Sequence, residues 1–360
     1  MKVVITGAAG FLGWHVRCAM VAEGHSVDAF NRESLWTESF KDAVESADAV
    51  VHCAGVNRGT DEEVREGNIS LATRLADTLR TTGSQATTVY LNSTHIDRGT
   101  VYGDAKREAA DILKSASSGR FVNLVVPNVF GEFGRPFFNS VVSTFCHQLA
   151  TGTELSINDD ASLELVHAQD VADEVLRCIK ENVEDNNRMR GTLTSVATIA
   201  EQLSDMFALY RENILPSSSL PFERSLFNTL RSYDIPGMNL HELEPRRDNR
   251  GHLVEMVKSG SGGQLFVSWT NPGITRGNHF HRRKIERFVV LEGQARIRLR
   301  RLFSDNVTSI EVNGDSPVSV DIPTLHTHEI TNVGDGLLLT AFWTDEIFDP
   351  NRPETYAEVV

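Results

Sequence analysis

The chain has 360 residues, with 35 Lys and Arg against 49 Asp and Glu and a formal net charge of −14. At about 150 residues per domain this length implies about two domains, and so acidic a chain has no net attraction for a polyanion, which argues against a nucleic-acid-coating protein. The 40% hydrophobic and 23% charged fractions are those of a soluble globular enzyme, and no apolar run approaches the ~20 residues needed for membrane insertion. The apolar part of the opening Met1–Gly7 is too short for a signal peptide and enters a glycine turn at once. Cys18, Cys53, Cys146 and Cys178 form no CxxC pair, so they read as buried thiols of a reducing cytoplasm.

In chain order, β-rich runs at Lys2–Thr6, Ser26–Phe30, Ala49–His52, Thr87–Asn92 and Phe121–Val126 alternate with helical patterns. Within Asn68–Thr81, Ile69, Leu71, Ala72, Leu75, Ala76 and Leu79 recur at helical spacing. Strand–helix alternation predicts βαβ units and a parallel sheet covered on both faces. A further helix is predicted over Thr194–Tyr210, and Leu215–Pro221 reads as a linker or long loop before a short helix over Phe222–Tyr233. After Pro236-Gly237 the pattern changes to short strands: Gln264–Trp269, Glu286–Leu291, Ala295–Leu302, Thr308–Val312, Val318–Ile322 and Leu337–Trp343. Such spacing without helices predicts an all-β barrel or sandwich. The boundary is placed near residue 244, giving domains at 1–243 and 244–360.

Gly7-Ala8-Ala9-Gly10-Phe11-Leu12-Gly13 follows the first strand and opens a helix. Gly7 permits the tight turn, Gly10 a close pyrophosphate, and Gly13 close helix–strand packing, while the helix N-terminus supplies amide donors to the anion. At the end of the second strand, where an NAD site usually carries an acid for the ribose 2′-hydroxyl, stand Asn31 and Arg32. A neutral amide and a guanidinium accept a 2′-phosphate, so NADPH is the expected cofactor. Tyr102 and Lys106, four apart, project from one helix face. An adjacent ammonium is expected to lower the phenol pKa, fitting Tyr102 to exchange a proton with a substrate oxygen, and Lys106 can hold the nicotinamide ribose. Thr94 or Ser93, at the preceding strand end, offers a hydroxyl to the reacting carbonyl; the structural alternative for Thr94 is a turn cap.

With Val51–Arg58 and Pro127-Asn128-Val129-Phe130-Gly131 added, residues 1–243 resemble the extended short-chain dehydrogenase/reductases. The resemblance implies a Rossmann fold, a smaller substrate lobe and, in many members, nucleotide-sugar substrates. It also implies a cofactor site of Gly7, Ala9, Gly10, Phe11, Leu12, Asn31, Arg32, Ala54, Gly55, Asn57, Pro127 and Val129 with Tyr102 and Lys106. Where the family often carries serines, this chain has Asn92-Ser93-Thr94.

Gly273–Gly293 contains HxH followed by Glu: on a strand, His279 and His281 share a face, and Glu286 follows. Imidazoles and a carboxylate suit Zn, Fe, Ni or Mn. His328 is the expected distant ligand, with His326 on the same strand face as a competing ligand or acid/base group, and Lys284 as another proton carrier. The spacing resembles the two cupin motifs, although Leu325 and Pro317 stand where the second motif carries glycines.

Both halves together resemble the CapF-type bifunctional capsular-polysaccharide enzymes, through Ala54–Arg58, Asn128–Gly131, Asn139–Val142, Thr144–His147, Pro272–Thr275 and Phe348–Asn351. The resemblance implies that a zinc-binding cupin epimerises C3 of a UDP-linked 4-keto-6-deoxy amino sugar. The reductase domain then reduces C4 with NADPH, giving UDP-2-acetamido-2,6-dideoxy-β-L-talose on the way to UDP-N-acetyl-L-fucosamine. Chemistry sets that order, because the ketone that acidifies the neighbouring C–H is destroyed by reduction. A homodimer joined through cupin strands is expected. The alternatives are an NADPH sugar reductase with a non-catalytic cupin, and a redox-sensing NADPH-binding regulator; the Tyr102–Lys106 pair argues against the regulator.

Overall fold

The computed structural model describes residues 1–157, 161–181, 183, 185–233, 240–243, 246–248, 251–253, 257–259, 263–346 and 351–360. Pro236-Gly237, the boundary residue 244 and Phe348-Asp349-Pro350 lie outside them. Contacts divide the chain into two compact units: Met1–Phe130 with Asp160–Val196, and Gly131–Asp159 with Ala197–Val360.

The chain runs β1 (Lys2–Thr6), α1 (Phe11–Ala22), β2 (Ser26–Phe30), α2 (Glu38–Glu45), β3 (Ala49–His52), α3 (Asp61–Thr82), β4 (Thr87–Ser93), α4 (Val101–Ala116), β5 (Phe121–Val126) and β6 (Asn128–Phe130). After α5 (Val141–Ala150), which belongs to the second unit, come β7 (Ser162–His167), α6 (Ala168–Lys180), β8 (Asn186–Arg188) and β9 (Thr192–Ser195). The first unit is a Rossmann-like sheet of order β2-β1-β3-β4-β5-β8, every pair parallel. β3 and β5 are buried along their whole length, as central strands covered on both faces must be.

α3 is longer than its apolar stripe implied because its start is set by polar residues. Thr60 and Glu63 form a reciprocal capping box, and Asp61, Glu62 and Glu63 place negative charge at the helix N-terminus. Gly83, at φ +62°, ends it. The helix expected from Thr194 starts at Val196, because Thr192–Ser195 pairs antiparallel with β7 as β9.

The second unit holds α7 (Val196–Arg211, entered at Ala197), β10 (Ile214–Leu215), α8 (Pro221–Arg231), β11 (Leu240–Glu242), β12 (Arg246–Asp248), β13 (Gly251–Leu253) and β14 (Lys258–Ser259). Then follow β15 (Gln264–Thr270), β16 (Thr275–Phe280), β17 (Glu286–Glu292), β18 (Gln294–Arg301), β19 (Val307–Asn313), β20 (Val318–Ile322), β21 (His326–Asn332), β22 (Leu338–Thr344) and β23 (Tyr356–Ala357). Two five-stranded antiparallel sheets, β11-β20-β17-β22-β15 and β19-β18-β21-β16-β23, share a core that includes Phe288, Ile297, Leu299, Val320, Ile330 and Phe342. The expected linker is part of the packed unit: Leu215 and Ser218 are buried, and Pro221 occupies the first turn of α8, where a missing N–H costs nothing.

α7 is tied to the β-rich part of its unit by a buried polar network. Arg287 on β17 donates to both oxygens of Asp321 on β20, Tyr210 on α7 donates to the same carboxylate, and Arg287 reaches the Asn213 side-chain carbonyl. Arg287, Asp321 and Tyr210 are all fully or almost fully buried, so each polar group depends on the others for the partners that water supplied in the unfolded chain.

Candidate nucleotide and metal sites

The glycine turn is built for close approach. Gly7 has φ +67°, and a Cβ there would lie 2.7 Å from the Ala54 backbone after β3; a Cβ at Gly13 would lie 2.2 Å from the Gly7 carbonyl. Thus Gly13 packs on the turn itself. Gly10 caps α1 without a side-chain bond, leaving the first helical amides of Phe11 and Leu12 at an N-terminus suited to an anion. Ala54 is buried, whereas Gly55 and Asn57 are exposed on the loop after β3. These residues fit a dinucleotide pyrophosphate: the cradle exists only because side chains are missing from it.

Sequence reasoning missed what holds that loop. The buried Asn68 of α3 accepts from the Val56 amide at 3.2 Å and donates to the Val56 and Val64 carbonyls at 2.6 and 2.7 Å. Its signal was present as one amide on an apolar helical stripe. Asn31 and Ser34 exchange hydrogen bonds through side chain and backbone, which shapes the turn after β2. Asn31 and Arg32 are exposed, and a Cβ on Gly67 would lie 3.4 Å from an Arg32 guanidinium nitrogen. Pro127 is buried and Val129 half-buried on β6, next to β7.

Tyr102 lies in the first turn of α4, which Thr100 caps. Gly103 lets this turn approach the short 3-10 turn Thr94–Asp97, since a Cβ there would meet the His95 carbonyl at 2.1 Å. The cap of that turn is Ser93, whose Oγ accepts from the His95 amide at 3.3 Å; Thr94 is its first residue and half-buried. The electrostatics depart from the expected phenol–ammonium pair. Burial raises the Tyr102 pKa above the ordinary phenol value. Burial also lowers Lys106 to about 7, with the Cys53 thiol opposing. The Lys106 ammonium donates to the Leu91 carbonyl at 2.7 Å and lies 4.1 Å from the centre of the Tyr90 ring. Desolvation outweighs the charge pairing inferred from spacing.

In the second unit, β16 with the residue after it, β17 and β21 bring His279, His281, Glu286 and His328 together, with one ligand atom from each within 4.8 Å of the others. The Glu286 carboxylate lies 3.2 Å from His281 Nε2 and 3.1 Å from His328 Nε2. Burial alone would raise this carboxyl, but the two imidazoles beside it hold it below its ordinary value. Burial and the neighbouring His328 and His281 lower His279 to about 4. His281 Nδ1 lies 2.6 Å from the Glu354 carbonyl, which can only accept; Nδ1 therefore carries the hydrogen and Nε2 presents its lone pair. Three imidazoles and one carboxylate of this geometry fit a divalent transition metal.

A cavity of about 170 Å³ opens onto this cluster, with Phe266, Ser268, Arg276, Phe288, Ile330 and Phe342 among its walls. The two expected proton carriers face elsewhere. His326 Nδ1 lies 3.0 Å from the Thr324 carbonyl, and its ring packs on Phe133, centroids 5.8 Å apart. Burial lowers it to about 4. Lys284 donates to the Pro353 carbonyl at 2.7 Å.

The NAD dependent epimerase/dehydratase family profile matches residues 3–189, and that of the polysaccharide biosynthesis C-terminal domain matches residues 246–356. A relative from Pseudomonas aeruginosa, UDP-2-acetamido-2,6-beta-L-arabino-hexul-4-ose reductase, is 32% identical over 99% of this chain and 98% of its own length. The crystal structure of the capsular polysaccharide assembling protein CapF from Staphylococcus aureus covers all of both chains at 30% identity and TM-score 0.62. The UDP-glucose 4-epimerase of Thermus thermophilus, at 16% identity and TM-score 0.53 over 66% of this chain and all of its own, shares the fold alone. By full-length similarity to the Pseudomonas reductase and the Staphylococcus protein, the chain belongs to the CapF family, in which a NAD dependent epimerase/dehydratase domain precedes a polysaccharide biosynthesis C-terminal domain.

Proposed function

We propose that this chain is a cytoplasmic bifunctional UDP-sugar epimerase/reductase, with a reductase domain at 1–243 and a cupin at 244–360. The cupin epimerises C3 of a UDP-2-acetamido-2,6-dideoxy-4-keto-hexose, and the Rossmann domain reduces C4, giving UDP-2-acetamido-2,6-dideoxy-β-L-talose on the way to UDP-N-acetyl-L-fucosamine. The observation that carries this reading is one chain holding both a Tyr102/Lys106 pair beside a glycine cradle and a three-histidine, one-glutamate cluster under a cavity.

NADPH, when bound, supplies a hydride equivalent to the C4 carbonyl carbon. Gly7, Gly10, Phe11 and Leu12 hold its pyrophosphate, and Asn31 and Arg32 receive the 2′-phosphate. Tyr102 donates its phenolic proton to the carbonyl oxygen, Ser93 or Thr94 hydrogen-bonds that oxygen, and Lys106 lies on the face from which it can reach a ribose hydroxyl. A zinc ion, when bound by His279, His281, Glu286 and His328, supplies Lewis acidity toward an oxygen of the keto sugar. The phenyl and isoleucine walls of the cavity hold a 6-deoxy sugar ring by apolar contact, and Arg276 at its rim offers positive charge. Two copies associate through the edge strand β15, whose outward Leu265, Val267 and Trp269 are all exposed.

The test uses the full chain. Tyr102→Phe keeps the ring and removes the proton, so NADPH oxidation should fall by about 10²–10⁴ while deuterium from D2O still enters the keto sugar at C3. Loss of both activities in a folded variant would overturn the division of labour; retention of both would remove Tyr102 from the mechanism. One observation favours a second reading, a reductase with a non-catalytic cupin: the Pseudomonas relative is named as a reductase alone. Absence of C3 exchange in the wild-type chain would select it.

A further inference from the structure

Residues 353–360 lie directly against the histidine-bearing strand. β23 pairs antiparallel with β16, setting Ala357 opposite His279 and Tyr356 opposite Phe280. The Glu358 amide donates to the Asn278 carbonyl at 3.0 Å. At the start of this segment Glu354 has a φ of +48°, a left-handed conformation that residues with a Cβ rarely adopt. Two features hold it there. The Glu354 carboxylate accepts from the backbone amides of Arg282 and Arg283 at 3.0 and 3.1 Å. The preceding Pro353 carbonyl is bound by the Lys284 ammonium. The product of this strained conformation is one aimed carbonyl, that of Glu354, set 2.6 Å from His281 Nδ1.

We propose that Glu354 is a positioning residue for the metal cluster. Its side chain clips this segment to the Arg282-Arg283 backbone, and its carbonyl thereby fixes the tautomer and ring orientation of His281. The inference rests on the metal-site reading above. It assigns the buried Lys284 a supporting role in the same segment. It also explains why an acid occupies a left-handed position that glycine or asparagine would fill with less strain: the carboxylate bridges two amides from a neighbouring loop, which neither glycine nor asparagine can do with charge-assisted bonds.

The full-length chain, ¹⁵N-labelled at histidine and freed of metal, gives the first measurement. His281 should be protonated at Nδ1 in the wild type, and Glu354→Ala should show a mixture with the Nε2-protonated form. A wild-type His281 protonated at Nε2, or a tautomer unchanged by Glu354→Ala, overturns the proposal whether or not metal binds. With Co²⁺ as probe, Glu354→Ala should lose about 10–100-fold in affinity and shift the visible ligand-field bands. Glu354→Gln, which keeps an acceptor oxygen, should recover most of that loss. Wild-type affinity and bands in Glu354→Ala would also sink the proposal. If Glu354→Ala does not fold, Glu354→Gln and the wild-type tautomer decide. Failure of the metal-site reading has a separate signature: Co²⁺ binding unchanged by His328→Ala.

Discussion

Lys106 shows how far one residue's surroundings can move its chemistry. Its ordinary value of 10.5 falls to about 7 in the folded chain through burial. Between these values the unfolded chain holds a proton that the folded chain does not, so the contribution of Lys106 to stability rises with pH across that window and is flat below about 7. Comparing urea midpoints of the wild type and Lys106→Met at pH 7 and pH 10 checks this. The difference should move in favour of the wild type at the higher pH, and a difference independent of pH would contradict it. The pairing of Tyr102 with Lys106 was legible in the sequence because i,i+4 spacing is local. The direction of the Tyr102 shift was not, because desolvation depends on β4 and the neighbouring loop, and the spacing of two residues carries no information about them. The same limit applies to Ser93 and Thr94, where one residue of register decides which hydroxyl caps the turn.

Among elements, period and length decided what could be read in advance. β1, β2, β3 and β5 are short β-rich runs between clear breaks, and their bounds match those drawn from the sequence. β23 is two residues long and pairs with a partner more than 70 positions away, so no periodicity could announce it. α3 was half legible: its apolar stripe marks the buried face, while its first turn is specified by Thr60 and Glu63. The Asn68 amide on that stripe has a consequence for the cofactor loop. Asn68→Ala leaves the half-buried Val56 amide and carbonyl without this partner, at a cost of about 1 kcal/mol, the low end of the range for buried groups. The loop carrying Ala54, Gly55 and Asn57 should then lose its fixed shape. The expected outcome is a raised KM for NADPH with metal content per chain unchanged. An unaltered KM in a folded variant would show that the loop is held by other contacts.

At the scale of the whole molecule, the two homology regions, 3–189 and 246–356, do not coincide with the two compact units. The Arg287–Asp321–Tyr210–Asn213 network is one reason: charged groups in the β-rich region find their partners on α7 and just after it. The change from helical to strand patterning was legible near residue 240, but the sequence pattern does not reveal that Asp321 needs a phenol from the helical side. For this reason the test of the two proposed activities uses Tyr102→Phe in the full chain, where that network stays intact. Among the described residues β15 pairs only with β22, and this edge also provides an optical reporter. Trp269 is 60% exposed there, whereas Trp343 is buried and Trp14 half-buried. An indole in water emits at longer wavelength than one against protein, so joining two β15 edges should shift the emission blue as the protein is concentrated. Trp269→Phe should abolish the shift while leaving an apolar edge to pair, and emission independent of concentration would argue against β15 as the contact. The midpoint of the shift would then report the strength of self-association without any label.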